Sequence, residues 1–311
     1  MPVDLSVEIA GLRLSNPVLA SSGTFGYGLE FAHLVDLNRL GGLVVKGLSL
    51  EPMEGAAAPR VCETPSGMLN AIGLQNIGVR AFVPEKLPKL AAYQTAVVAN
   101  VFGTMVVEYC EVLRILEDAD GLAAYELNIS CPNVKRGGLQ FGSDPAMAAE
   151  VVGAAKREVS KRALWVKLSP LVSDIAAMAQ AVSEAGADAL TIANTYPAMS
   201  VDVATRSSRI ASSSGGLSGP AIRPITLRLV HEASKAVKIP ILGAGGIEKA
   251  DDALEYLLVG ASAVQVGTAH FADPKASERL VKGLERRCNE LSISKINDIR
   301  GGFRAEKACN R

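Results

Sequence analysis

The chain has 311 residues, with 32 Lys+Arg balanced by 32 Asp+Glu, 49% hydrophobic residues and only 5% aromatic. A neutral balance without a basic block argues against nucleic-acid or membrane-surface binding, and no apolar run approaches the ~20 residues of a spanning helix. Met1-Pro2-Val3-Asp4 lacks the grammar of a signal peptide, so the expectation is a soluble cytoplasmic protein, with residues 1–311 forming a single barrel-sized α/β domain.

Residues 5–14, LSVEIAGLRL, read as a short hairpin turning at Ala10-Gly11, a plug under one end of a barrel. Apolar strand-like runs then recur at 18–20, 43–45, 96–101, 123–129, 164–168, 189–193, 239–244 and 263–266. Helical spacing fills most of the intervals, at 105–117, 145–159, 175–185, 222–236, 249–258 and 275–288. Eight alternations imply parallel strands joined by crossovers and closed into a (β/α)8 TIM barrel. Continuously apolar strands are what a sheet covered on both faces requires. Two connections exceed the needs of a crossover. Residues 47–76 carry Pro52, Pro59 and Pro65 and suggest an ordered excursion with a hairpin at 60–70, whereas 195–219, with Ser212-Ser213-Ser214-Gly215-Gly216, has a flexible composition. Both leave the C-terminal ends of strands, where long loops commonly act as lids.

A polar or small group follows each apolar run: Ser21-Ser22-Gly23, Lys46-Gly47, Asn100, Asn128, Lys167, Asn194-Thr195, Gly245-Gly246 and Gly267-Thr268. Recurrence on all eight strands marks one rim as the site. The glycines after the last two strands let backbone N–H groups approach an anion, with a helix N-terminus behind them, so a phosphorylated cofactor or substrate is expected there. Lys46 and Lys167 end apolar strands and call for an anionic ligand or an electron-rich ring, unless they snorkel to solvent. A Schiff-base lysine, and hence an aldolase-like lyase, is the other functional reading.

The fourth run ends in Asn128-Ile129-Ser130-Cys131-Pro132-Asn133. Pro132 restricts Cys131 to extended backbone angles, and Asn128 and Asn133 place donors and acceptors on either side of the thiol. A small hydrophobic cysteine capping a core strand is the plainer reading; the Asn-framed, Pro-locked turn favours a reactive one. Cysteines at 62, 110, 131, 288 and 309, without a C-x-x-C spacing, support neither a disulfide scaffold nor an iron–sulfur or zinc cluster. His33, His231 and His270 read as surface or packing residues rather than a metal set.

Met68-Leu69-Asn70-Ala71-Ile72-Gly73-Leu74-Gln75-Asn76, taken with the Cys131 turn, resembles the dihydroorotate dehydrogenase family. The likeness extends over residues 5–300, through Lys46, Asn194-Thr195, Gly215-Gly216-Leu217-Ser218-Gly219-Pro220, Gly245-Gly246 and Gly267-Thr268. It implies one FMN in the barrel and oxidation of (S)-dihydroorotate to orotate in pyrimidine (UMP) biosynthesis. Cys131 matches the catalytic base of the soluble class 1 members, taking a proton from C5 while hydride leaves C6 for flavin N5. The resemblance places FMN against Ser22, Lys46, Gly47, Asn100, Asn128, Lys167, Ala193, Gly219, Gly245, Gly246, Gly267 and Thr268. It places the substrate against Lys46, Asn70, Ala71, Ile72, Gly73, Leu74, Asn128, Asn133, Asn194 and Thr195. The glycine-rich forms look most like the NAD-linked (class 1B) catalytic subunit, a homodimeric core paired with a partner subunit that carries FAD and a 2Fe–2S cluster in an α2β2 heterotetramer. This chain has no G-x-G-x-x-G fingerprint and no cluster cysteines, so it would reach NAD only through another protein. The alternative is the class 1A homodimer, which uses fumarate directly. Ile77 stands where the family commonly has proline, and Ala193 where it more often has a larger aliphatic; both read as packing changes.

Overall fold

The computed structural model describes residues 3–130 and 141–305. The barrel strands are β1 Val18–Ala20, β2 Gly42–Val44, β3 Ala96–Val101, β4 Ala124–Asn128, β5 Ala163–Lys167, β6 Ala189–Ile192, β7 Ile241–Ala244 and β8 Ala263–Val266. Each pairs in parallel with the next, and β8 closes on β1 with Val264 opposite Val18. The (β/α)8 expectation holds, with boundaries displaced by a residue or two. β7 starts at Ile241 rather than 239, since Pro240 has no N–H to give to a ladder. The covering helices begin where the sequence provides caps: Asp144 and Asp174 each accept two first-turn N–H groups, opening Pro145–Glu158 and Ile175–Glu184. The N-terminal hairpin, Val7–Ile9 with Leu12–Leu14, turns at Ala10-Gly11 and adds Val7, Ile9 and Leu14 to the main core. Among the described residues no helix is long and apolar enough to cross a membrane.

The two long connections build one structure together. Val61–Thr64 and Gly67–Asn70 form the hairpin expected from the first, and Gly215–Ser218 and Tyr196–Ala198 of the second extend it into a four-stranded antiparallel sheet. The segment 195–219 is therefore an ordered ladder where its Ser/Gly composition suggested flexibility. Glycine here permits close approach: a Cβ on Gly215 would lie 2.4 Å from the Asn70 carbonyl oxygen, and one on Gly67 2.2 Å from that of Ser218.

Successive side chains of β4 point to opposite faces. Tyr125 faces outward, donating to Glu117 at the end of helix Val106–Glu117. Glu126 instead meets Asn100 on β3, Thr191 on β6 and Gln265 on β8. β4 is not adjacent to β6 or β8, so these bonds run through the barrel lumen.

Candidate active site

The C-terminal strand ends and the small sheet enclose a cavity of about 650 Å³, within the range typical of ligand pockets. Every candidate residue in the described part of the chain lines it. Ser22 follows β1, Lys46 and Gly47 follow β2, Asn100 lies in β3, and Asn128 and Lys167 end β4 and β5. Ala193, Asn194 and Thr195 follow β6, Gly245 and Gly246 follow β7, and Gly267 and Thr268 follow β8. Asn70, Ala71, Ile72, Gly73, Leu74 and Gly219 come from the two inserts. Cys131 and Asn133 lie outside the described residues.

A hydrogen-bond relay organises the rim where β4 ends. Asn194 Nδ2 donates to Ser130 Oγ at 2.8 Å, and Ser130 donates through its hydroxyl (2.7 Å) and its backbone N–H (3.3 Å) to Asn128 Oδ1. With Oδ1 engaged, the Asn128 amide nitrogen has no acceptor among the described residues and can be offered to a ligand. Asn70 Nδ2 donates to the Gly216 carbonyl at 3.1 Å, which ties the two inserts together and keeps Oδ1 as that side chain's remaining acceptor.

The polar groups of the barrel wall are incomplete on their own. Lys167 is 5% exposed, yet its ammonium has no hydrogen-bond or ion-pair partner among the described residues, an arrangement that is costly without an acceptor from a ligand. Asn100 Oδ1 and Gln265 Oε1 are buried acceptors that lack a donor among the described residues. Across the β7 loop, Gly246 has φ +68°, and a Cβ there would meet the Gly219 carbonyl oxygen at 2.7 Å. Tyr256 donates to the Gly245 carbonyl at 2.7 Å. Because that peptide is planar and trans, the Gly246 N–H points the opposite way, as an anion site needs. Next to the β8 loop, His270 packs against Phe25 and lies 2.8 Å from Ser277 Oγ and 3.4 Å from Thr24 Oγ1. Burial pushes its pKa down to about 4, so it is a neutral packing residue at physiological pH.

The family model described as dihydroorotate dehydrogenase matches residues 4–288. The chain belongs to the dihydroorotate dehydrogenase family. A relative from Pelobacter propionicus named dihydroorotate dehydrogenase B (NAD(+)), catalytic subunit, is 52% identical, covering 97% of this chain and 99% of that protein. A relative from Solibacter usitatus, whose name assigns it provisionally to dihydroorotate dehydrogenase A (fumarate), is 56% identical over 97% of this chain and 99% of its own length. The fold matches a crystal structure of DHODH from Eimeria tenella in complex with ferulenol, with a TM-score of 0.81 at 22% identity, covering 96% of this chain and 88% of that one.

Dihydroorotate dehydrogenase family membership implies FMN, and the residues present fit it. Glycine amides suit a phosphate, and a buried lysine at the cavity wall suits the polar edge of a flavin ring. Sequence reasoning missed Glu126, Thr191, Gln265 and Tyr256 as site-building residues. Glu126 and Gln265 left a signal as lone polar side chains inside apolar runs; Tyr256 left none. Ile77 gains something proline cannot have, since its N–H donates to Tyr27 Oη at 3.1 Å.

Proposed function

We propose that this chain oxidises dihydroorotate to orotate in the cytoplasm as a step of pyrimidine synthesis. The convergence of every described candidate residue on one cavity carries the reading. Bound FMN supplies the two-electron acceptor. Ser22, Lys46, Gly47, Asn100, Asn128, Lys167, Ala193, Gly219, Gly245, Gly246, Gly267 and Thr268 hold it. Asn70, Asn128, Asn133 and Asn194 offer the amide donors and acceptors that a cyclic ureide edge requires, with Thr195, Lys46 and the backbone from Ala71, Ile72, Gly73 and Leu74 completing the cradle. Cys131 takes the C5 proton. A thiol is mostly protonated near pH 7, so the rate should rise with pH.

In stopped flow with dihydroorotate, Cys131→Ala should slow flavin reduction by about 10²–10⁴-fold, and Cys131→Ser should recover part of it at high pH; reduction at the wild-type rate in Cys131→Ala would remove the base role. Names such as that of the Pelobacter propionicus relative favour NAD as final acceptor; in our reading the electrons reach it through a partner subunit bearing FAD and a 2Fe–2S cluster in an α2β2 assembly. The Solibacter usitatus relative favours a second reading, fumarate as direct acceptor. Reoxidation of the reduced, isolated chain by fumarate decides for the second; its failure, with NAD turnover appearing only when a partner is added, decides for the first.

A further inference from the structure

The first insert ends in a turn that few L side chains adopt. Gly73 has φ +74° and Leu74 has φ +59°, and a bulky residue in that left-handed region is an outlier that persists only where its surroundings hold it. Asn76, which is buried, does the holding. The backbone N–H groups of Gly78 (2.8 Å) and Ser49 (3.3 Å) both donate to Asn76 Oδ1. Two main-chain donors fix which way the carboxamide faces, so its Nδ2 is turned to the Leu74 carbonyl oxygen at 2.9 Å and to Ser49 Oγ at 2.8 Å. Ser49 Oγ in turn donates to the Glu51 carbonyl at 2.6 Å, and Asn76 exchanges two backbone hydrogen bonds with Met53. The far side of the turn is closed as well: Ala56 N–H donates to the Ile72 carbonyl at 2.9 Å, and a Cβ on Gly73 would lie 2.4 Å from Ala56 N. In a trans peptide the N–H opposes the carbonyl, so the Gly73 N–H points away from Ala56. Ile72, Gly73 and Leu74 are half-buried and line the cavity, and no described residue accepts the backbone N–H of any of the three. Donors that the fold leaves unpaired at a cavity wall are open to the oxygens of a ligand.

We propose that Asn76 is a positioning residue that fixes the Gly73-Leu74 turn, so that the unpaired backbone N–H groups of this segment meet the oxygen atoms of the substrate. Its effect is on substrate binding and not on FMN. The inference rests on the dihydroorotate reading above and deepens it by naming the side chain that shapes the cradle.

The test is Asn76→Asp in the FMN-loaded protein, with flavin reduction by dihydroorotate followed in stopped flow at pH 8. Asp keeps an oxygen for the Gly78 and Ser49 N–H groups, bonds that favour its ionised form, but sets a second oxygen against the Leu74 carbonyl where Asn has a donor. The dihydroorotate concentration at half the maximal rate should rise at least about tenfold, while the rate at saturation stays within about threefold and the FMN content is unchanged. If Asn76 served only to hold Ser49 and Gly78, Asp would serve as well and half-saturation would not move. Circular dichroism establishes whether Asn76→Asp folds; if it does not, Leu74→Val is compared with Leu74→Asn, because a β-branched chain resists a positive φ that asparagine tolerates. Half-saturation is then expected at least about fivefold higher in the valine variant. Unmoved half-saturation in Asn76→Asp, a loss confined to the saturated rate or to FMN content, or equal half-saturation in the two Leu74 variants overturns the proposal. Wild-type protein whose flavin is not reduced by dihydroorotate overturns the dihydroorotate reading itself, a different result.

Discussion

Adjacent residues of one strand anchor two buried polar networks that end differently. Tyr125 faces out of the barrel and donates to Glu117, which also accepts the backbone N–H groups of Ser160 and Lys161 at 2.6 Å each. Arg162 donates to Tyr125 Oη and to the carbonyl oxygens of Ala119 and Leu122. Burial pushes the Glu117 carboxyl up, but the bonds from Tyr125, Lys161 and Ser160 and the charge of Arg162 together bring it below the ordinary carboxylate range. No side-chain atom of this outer group is left without a partner. The inner group around Glu126 leaves two oxygens, Asn100 Oδ1 and Gln265 Oε1, without a donor among the described residues. The outer network holds helices to the barrel, whereas the inner one ties β3, β4, β6 and β8 together across the lumen.

The largest effect expected from this contrast is on the closed side. Glu117→Ala strands Arg162, Tyr125 Oη and two N–H groups, and should cost about 3–5 kcal/mol in urea unfolding while the folded fraction keeps its FMN affinity. A loss of FMN affinity in the folded fraction would erase the distinction. His270 sharpens it from another direction, because its contacts are satisfied yet it can titrate. With its pKa lowered from 6.5 to about 4, the unfolded chain takes up the proton first. Stability is thus complete above pH 6.5, falls as pH drops from there to about 4, and is flat below. The loss should amount to about 3 kcal/mol across that window, measured by urea unfolding at a series of pH values, and should vanish in His270→Asn. Tyr256→Phe gives the smallest change, since it removes one hydrogen bond to the Gly245 carbonyl. An increase of about fivefold in the FMN dissociation constant, near 1 kcal/mol, is expected.

The barrel was legible because parallel strands buried on both faces must be apolar throughout, and their ends must turn polar where they meet a ligand. The rim residues from Ser22 to Thr268 were readable for the same reason. The covering sheet was legible only in part. Its first hairpin shows in the prolines and alternation of 60–70, but its other half depends on contacts such as Ser218 Oγ to the Met68 carbonyl, 150 residues apart in sequence. Glycine at 215 and 216 reads as looseness until the opposing backbone is known. Glu126 and Gln265 escaped for a geometric reason: one polar side chain in an apolar run does not reveal which face it occupies, and only the closed register directs both into the lumen. Cys131 and Asn133, on which the chemistry was read from the sequence, lie outside the described residues.

The four-stranded sheet takes two adjacent strands from the segment that enters the chain after β2 and two from the segment after β6. Neither segment can make the ladder alone, and Asn70 of one is bonded to Gly216 of the other. For anyone building hybrids between relatives, the two segments are a single cassette despite the distance between them in the gene. Transplanting one without its counterpart would deliver unmatched strand edges to the mouth of the barrel.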